Sequence, residues 1–267
     1  MHSPPNRPET LGRLLPMHGV TPQAAASVPW FPLPVVDKAL ANKLLPVLLG
    51  GIAGSTDTIG FLAFGGLFTA HITGNFVVLA AHIVSHHELS AAVVLSVPVF
   101  IAVILLTRWL AGRLEALGTS LLQPLLLLEC LLLAGFLAMR VVNGTPVHVN
   151  APGAIVAGML GVAAMAVQNA VGQISLGAVS TTAMTANVAR FALDVGEIFV
   201  TRNHCDRSWW RNRLPQGGPI AGFVIGCGLG AASEAAFDRW ALALPVALAA
   251  FALATSFAPN PKTPGMS

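Results

Sequence analysis

Residues 65–84 read GGLFTAHITGNFVVLAAHIV, an apolar stretch with Thr69, His71, Thr73 and Asn75 at its centre. About 20 mostly apolar residues are needed to cross the hydrocarbon core as a helix, and this stretch reaches that length. Polar groups at such depth must find partners inside the protein or line a cavity. The fold therefore turns on what these four side chains serve.

The rest of the chain fits the same setting. Of 267 residues, 55% are hydrophobic and only 9% charged, far below the roughly 25% usual for soluble domains. Apolar runs near residues 44–63, 67–85, 91–110, 121–140, 153–174, 178–199, 217–235 and 239–257 give an expectation of eight transmembrane helices in an all-α integral membrane domain over 41–258. The breaks at 64–66 and 175–177 are so short that each flanking pair reads as a tight hairpin or as one broken, partly re-entrant element. Residues 1–40 carry eight prolines and no apolar core of signal-peptide type, so a disordered cytoplasmic tail is expected there, with a short second tail at 259–267.

The net charge of +3 does not indicate nucleic acid, because Lys and Arg flank the apolar runs as topology signals do. With eight crossings and an inside N-terminus, Lys38, Lys43, Arg140, Arg202, Arg207, Arg211 and Arg213 fall on the cytoplasmic side, against Arg108, Arg113 and Arg239 outside. Both termini are thus expected in the cytoplasm, with the lipid bilayer as the obligatory partner. The segment 200–216, VTRNHCDRSWWRNRLPQ, mixes four arginines with two tryptophans and is read first as a topology determinant.

A shift of 112 residues lays GFLAFGGLFTAHITGNFVVLA (60–80) on GQISLGAVSTTAMTANVARFA (172–192). Gly60, Gly65, Thr69, Thr73, Asn75 and Ala80 meet Gly172, Gly177, Thr181, Thr185, Asn187 and Ala192, and upstream Asp57 meets Asn169. Background hydrophobicity does not supply matched Gly, Thr and Asn, so an internal duplication is expected, with repeat one at 44–140 and repeat two at 153–257. Four crossings repeated as four would leave both copies in the same orientation, a parallel repeat.

The stretches GGIAGSTDTIGFLAFGGLFTAHITGNFVVLA and VQNAVGQISLGAVSTTAMTANVARFALDV resemble the YoaK-like family of uncharacterised bacterial membrane proteins, domain of unknown function 1275. The resemblance covers roughly residues 41–258 and departs at Ala186, where the family pattern has Gly. It implies a multi-pass protein of the bacterial inner membrane and no established activity.

The candidate substrate-binding residues are Asp57, Thr73, Asn75, Asn169, Thr185 and Asn187, with Asn75 and Asn187 expected to face each other across the repeat axis. Asp57 and His71 are the candidate proton relay. The competing packing reading takes Gly66, Ala70 and Gly74, and Ala178, Thr182 and Ala186, as small-residue seams, with the threonines bonded to carbonyls one turn back. Arg190 and Asp194, four apart on a helix, are expected to form a structural ion pair near Glu197. Glu129 stands alone in LLLLECLLLAG; it meets Arg190, reaches the surroundings of Asp57, or is protonated against a packed helix.

His82 and His86 have helical spacing but no third ligand at a recognisable distance, so no metal is expected, and no cofactor motif is present. HExxH, GxSxG and P-loop patterns are absent, which argues against an enzyme and against ATP-driven transport. Two functions remain: a secondary transporter of a small polar solute or ion, proton-coupled through Asp57, and a non-transporting membrane assembly or lipid-interacting protein that could form homo-oligomers.

Overall fold

A computed structural model describes residues 38–85, 90–144, 148–175, 184–200 and 217–258. Residues 1–37 of the expected N-terminal tail, 176 and 177 of the break at 175–177, 201–216 of the basic segment 200–216, and the C-terminal tail 259–267 lie outside the described residues. The described chain is helical and holds eight α-helices: α1 (Lys38–Ala63), α2 (Ile72–Ser85), α3 (Ala91–Ala116), α4 (Leu122–Asn143), α5 (Pro152–Ser175), α6 (Met184–Val200), α7 (Gly217–Phe237) and α8 (Ala243–Ser256), with a 3₁₀ turn at Asp238–Trp240 before α8. Five of them, α1, α3, α4, α5 and α7, are long and apolar enough to cross a membrane.

The two central helices are α1 and α5, which carry small residues where others come close. From Leu49 to Gly60 only Thr58 of α1 is more than marginally exposed, because α7, α8 and α5 surround it. The α1–α7 contact is a glycine seam. A Cβ on Gly54 would stand 2.2 Å from the Phe223 carbonyl oxygen, one on Gly222 2.1 Å from that of Val47, and one on Gly226 2.3 Å from that of Gly51. Such approach gives dispersion contact along whole backbones, the main attraction left between helices in lipid. The register 50 to 219, 54 to 223 and 55 to 230 shows the two helices running the same way.

Helices α1 and α5 run in opposite directions. Gln168 Nε2 donates to the Leu49 carbonyl at 2.9 Å. A Cβ on Gly161 would stand 3.1 Å from Thr69, which Asp57 holds, and one on Gly158 2.8 Å from Leu67, whose carbonyl lies against Gly60. Climbing α1 through 49, 57 and 60 thus descends α5 through 168, 161 and 158. This corrects the expectation that the two copies share one orientation. The physical reason lies in α2, which does not traverse the bundle.

After α1 the chain turns at Gly65 and Gly66, whose φ values of 66° and 81° favour residues without a Cβ. It then runs back along α1 past Gly60, where a Cβ would meet the Leu67 carbonyl oxygen at 2.8 Å. At the depth of Asp57 the chain reverses again and α2 begins. Asn75 lies level with Phe68, and Val78 with Gly66, so α2 returns toward the end of the bundle where α1 finished. With 14 residues it is about 21 Å long, short of the roughly 30 Å hydrocarbon core. The stretch 64–85 is therefore a hairpin that enters and leaves by one end, not a span over 67–85.

The other helices follow from their end contacts. Ala91 N donates to Asn150 Oδ1, Gln123 Nε2 donates to the Ser256 carbonyl, and Arg140 meets Glu234 and Asp238. The described helices accordingly traverse the bundle six times, in α1, α3, α4, α5, α7 and the stretch from Asp238 to Ser256. Lys43, Arg108 and Arg113 stand at the near end, where α1 begins, and Arg140 and Arg239 at the far end. This reverses the expected sides of Arg108, Arg113 and Arg140, because the hairpin at 64–85 removes one crossing from the count ahead of them.

Candidate functional site

Asp57 lies two turns before the end of α1 and is buried. Its Oδ1 accepts from the backbone N–H of Thr69 (2.7 Å), the N–H of Ala70 (2.6 Å) and the Thr69 hydroxyl (3.0 Å). Its Oδ2 accepts from His71 N (3.2 Å), and His71 Nδ1 lies 2.6 Å away. Three consecutive backbone donors ahead of a helix N-terminus form an anion cradle, and the helix dipole adds attraction for negative charge. The carboxylate of α1 fills that cradle. Thr69 consequently bonds Asp57 instead of a carbonyl one turn back.

Asn75 performs the second closure. Its Oδ1 accepts from Phe68 N (2.9 Å), and its Nδ2 donates to the Phe68 carbonyl (2.7 Å) and to Ser96 Oγ (2.8 Å). The side-chain amide thus replaces a backbone partner for one residue of the extended arm and fastens the hairpin to α3. Gly74 leaves room for the Phe68 ring, whose Cδ2 would stand 2.8 Å from a Cβ there. Gly66 and Ala70 precede α2, so with Gly74 they do not form a helical seam. Ala178 and Thr182 of the other expected seam lie outside the described residues.

Two cavities meet at His71. The first, of about 400 Å³, is lined by Asp57, Thr58, Phe61, Phe68, Phe223 and Cys227 as well as His71, whose ring centroid is 5.1 Å from that of Phe223. The second, of about 530 Å³, lies between the N-terminal ends of α2 and α6. Ala70, His71, Ile72 and Thr73 line it from one side, Met184, Thr185 and Ala186 from another, with Asn169 of α5 and Phe100 of α3. Thr73, Thr185, Asn169 and His71 are thus brought together. Asn75 and Asn187 are not: both are buried, Asn75 is bonded to Phe68 and Ser96, and Asn187 Nδ2 points at Met184 Sδ, 3.9 Å away. Asn169 Oδ1 accepts a bond from Gln173 Nε2.

The expected Arg190–Asp194 ion pair does not form, since among the described residues the ion pairs are His71–Asp57, Arg108–Glu115, Arg140–Glu234 and Arg140–Asp238. Arg190 is exposed, and holding two long side chains together on an open helix face costs as much entropy as the pairing returns. The sequence reading treated Arg140 as a topology charge and missed its burial. It is 2% exposed, 2.6 Å from Glu234 Oε1 and 5.7 Å from the centre of the Phe64 ring, and it ties α4 to α7 and to α1. Its only sequence signal is that it stands within an apolar run, not beyond one.

The fold and the polar hairpin motif coincide with the segment on which family membership rests. The model of the family described as protein of unknown function (DUF1275) matches residues 45–255, from the first turns of α1 to the last turn of α8. The chain belongs to the DUF1275 family. Neither a curated protein nor a solved structure matches it. Within this DUF1275 protein, the matched region contains every residue that lines the two cavities.

Proposed function

We propose that this DUF1275 protein is a secondary carrier of a small polar solute, which binds in the cavity between the start of α2 and the start of α6. The observation that carries this reading is that cavity itself: Thr73 and His71 reach it from one half of the chain, Asn169 and Thr185 from the other. Carriers built from inverted repeats hold their substrates at such a meeting of interrupted helices.

The proposed architecture is two inverted repeats, each of three crossings and one re-entrant hairpin. Its support is the packing network. Exchanging α1 with α5, α2 with α6, α3 with α7 and α4 with α8 turns the α1–α7 contact into α5–α3, α1–α8 into α5–α4, and α2–α3 into α6–α7, all of which occur. The opposed directions of α1 and α5 agree with it. Six crossings also gather Lys43, Arg108 and Arg113 at the end where α1 begins and α8 finishes, which under the positive-inside bias supports cytoplasmic termini in a bacterial inner membrane. Proton coupling would run through His71, which contacts Asp57 and lines both cavities.

The test is thermal stabilisation of the purified protein by a panel of sugars, amino acids and small organic ions at pH 6 and pH 8, beside Thr185→Val and Asn169→Leu. The expected result is a solute-dependent rise in Tm that both variants lose while keeping the unliganded Tm within a few degrees. No shift with any solute would favour the second reading, a non-transporting assembly or lipid-interacting protein. That reading has its own support, because Asp57 and Asn75 both serve the backbone of the hairpin.

A further inference from the structure

Glu129 sits in the middle of α4, on the face that also buries Leu125, Leu126, Leu133 and Phe136. It is fully buried, and neither carboxyl oxygen has a hydrogen-bond partner among the described residues. Phe136 packs on Gly161 and Gly135 on Leu160, so stepping seven residues back along α4 and seven on along the antiparallel α5 brings Glu129 level with Gln168. Its α4 neighbours Leu125, Leu126 and Leu133 belong to one apolar cluster with Leu45 and Leu49 of α1, Met165 and Val167 of α5, and Ala249 and Ala252 of α8.

Among the described residues no cation is placed to neutralise a carboxylate there. The sequences of α5 and α8 contain no titratable side chain. On α4 the nearest positive charge is Arg140, eleven residues on, about 16 Å along the helix and already bonded to Glu234 and Asp238. On α1, Lys43 is exposed at the near end and Asp57 is engaged with residues 69–71. On α3, Arg108 and Arg113 are exposed, Arg108 beside Glu115, and the next residue of α4 is the thiol Cys130. An uncompensated charge in this position would face the full desolvation penalty. Even neutral, its unmade hydrogen bonds carry a cost that a leucine there would not.

We infer that Glu129 is a reversible proton-binding site, loaded in the conformation described and unloaded when α4 separates from α8 far enough to admit water. Helix α4 packs on α5 and α8, and α8 in turn packs on α1, so Glu129 lies between the group built on α5 and the group built on α1. A proton enters as H₃O⁺ gives one to the carboxylate, and leaves to water by the reverse step. The inference rests on the carrier reading only for the use made of that proton.

The test is infrared difference spectroscopy of the full-length protein in lipid nanodiscs from pH 5 to pH 9, with Glu129→Gln as the assignment and Glu129→Leu as the folding control. The expected result is a protonated-acid carbonyl band at pH 7 that is absent from both variants and is lost reversibly as pH rises. Glu129→Leu should be at least as heat-stable as the parent. If no protonated-acid band disappears in the variants at pH 7, or if the band persists unchanged to pH 9, the inference is overturned. If Glu129→Gln does not fold, Glu129→Leu supplies the assignment. A band that behaves as expected in a protein that binds no solute would retain the site and remove the carrier reading; solute binding without the band would do the opposite.

Discussion

Asp57 takes the place of water and of backbone partners for Thr69, Ala70 and His71, three donors that would otherwise be stranded inside an apolar bundle. Each unmet buried donor costs about 1–3 kcal/mol, so Asp57→Leu should unfold the hairpin and lower Tm sharply in detergent. Asp57→Asn keeps one acceptor oxygen and should fall between the two. Asn75→Leu strands both polar groups of Phe68 and should cost about 2–4 kcal/mol; unchanged thermal stability in this variant would refute the fastening role. The sequence announced these residues as important but not what they serve. A polar side chain in an apolar run reads equally as a ligand for solute or for backbone, and only the bend at 64–71 distinguishes the two. Glu129 was legible as an isolated acid, whereas its lack of any partner is a tertiary fact.

At the scale of the element, the α1–α7 seam depends on bare backbone. Gly226→Leu places a side chain where the Gly51 carbonyl already stands, with 2.3 Å to a Cβ, and should destabilise by several kcal/mol as overpacking does. Gly228→Ala, on the same helix with no atom within 4 Å of its Cβ, should be neutral or slightly stabilising. Equal effects of the two in a denaturation series would dismiss the seam. Helix positions were legible in the sequence because apolar runs and breakers locate them; α1, α3, α4, α5 and α7 fall within a few residues of their expected bounds, apart from extended ends at Lys38 and Ala116. The seam was not anticipated, although Gly218, Gly222, Gly226 and Gly230 recur every fourth residue. Such spacing shows that a helix can be approached closely, and its partner lies at the other end of the chain.

For the whole molecule, the count of crossings decides which loops face which side. In a cysteine-free background, Thr119→Cys should react with a membrane-impermeant maleimide from the same side as the termini, and Asn150→Cys from the opposite side. Eight crossings would give the reverse pattern for both. Hydrophobicity alone left this open: α2 and the arm before it contain enough apolar residues to span, and the turn that sends α2 back rests on two glycines and one distant carboxylate. In the proposed duplication the loss of two crossings also changes the relation between copies, since three traversals per repeat would invert the second where four would not.

The glycine seam carries a consequence for how the chain is made. The closest partner of α1 is α7, which leaves the ribosome about 170 residues later, roughly 10 to 30 s at ordinary synthesis rates. Throughout that interval the face of α1 that carries Gly50, Gly54 and Ser55 has no companion. Helix α1 is thus made well before the partner that closes on its glycines, and its bare seam stays open until α7 arrives.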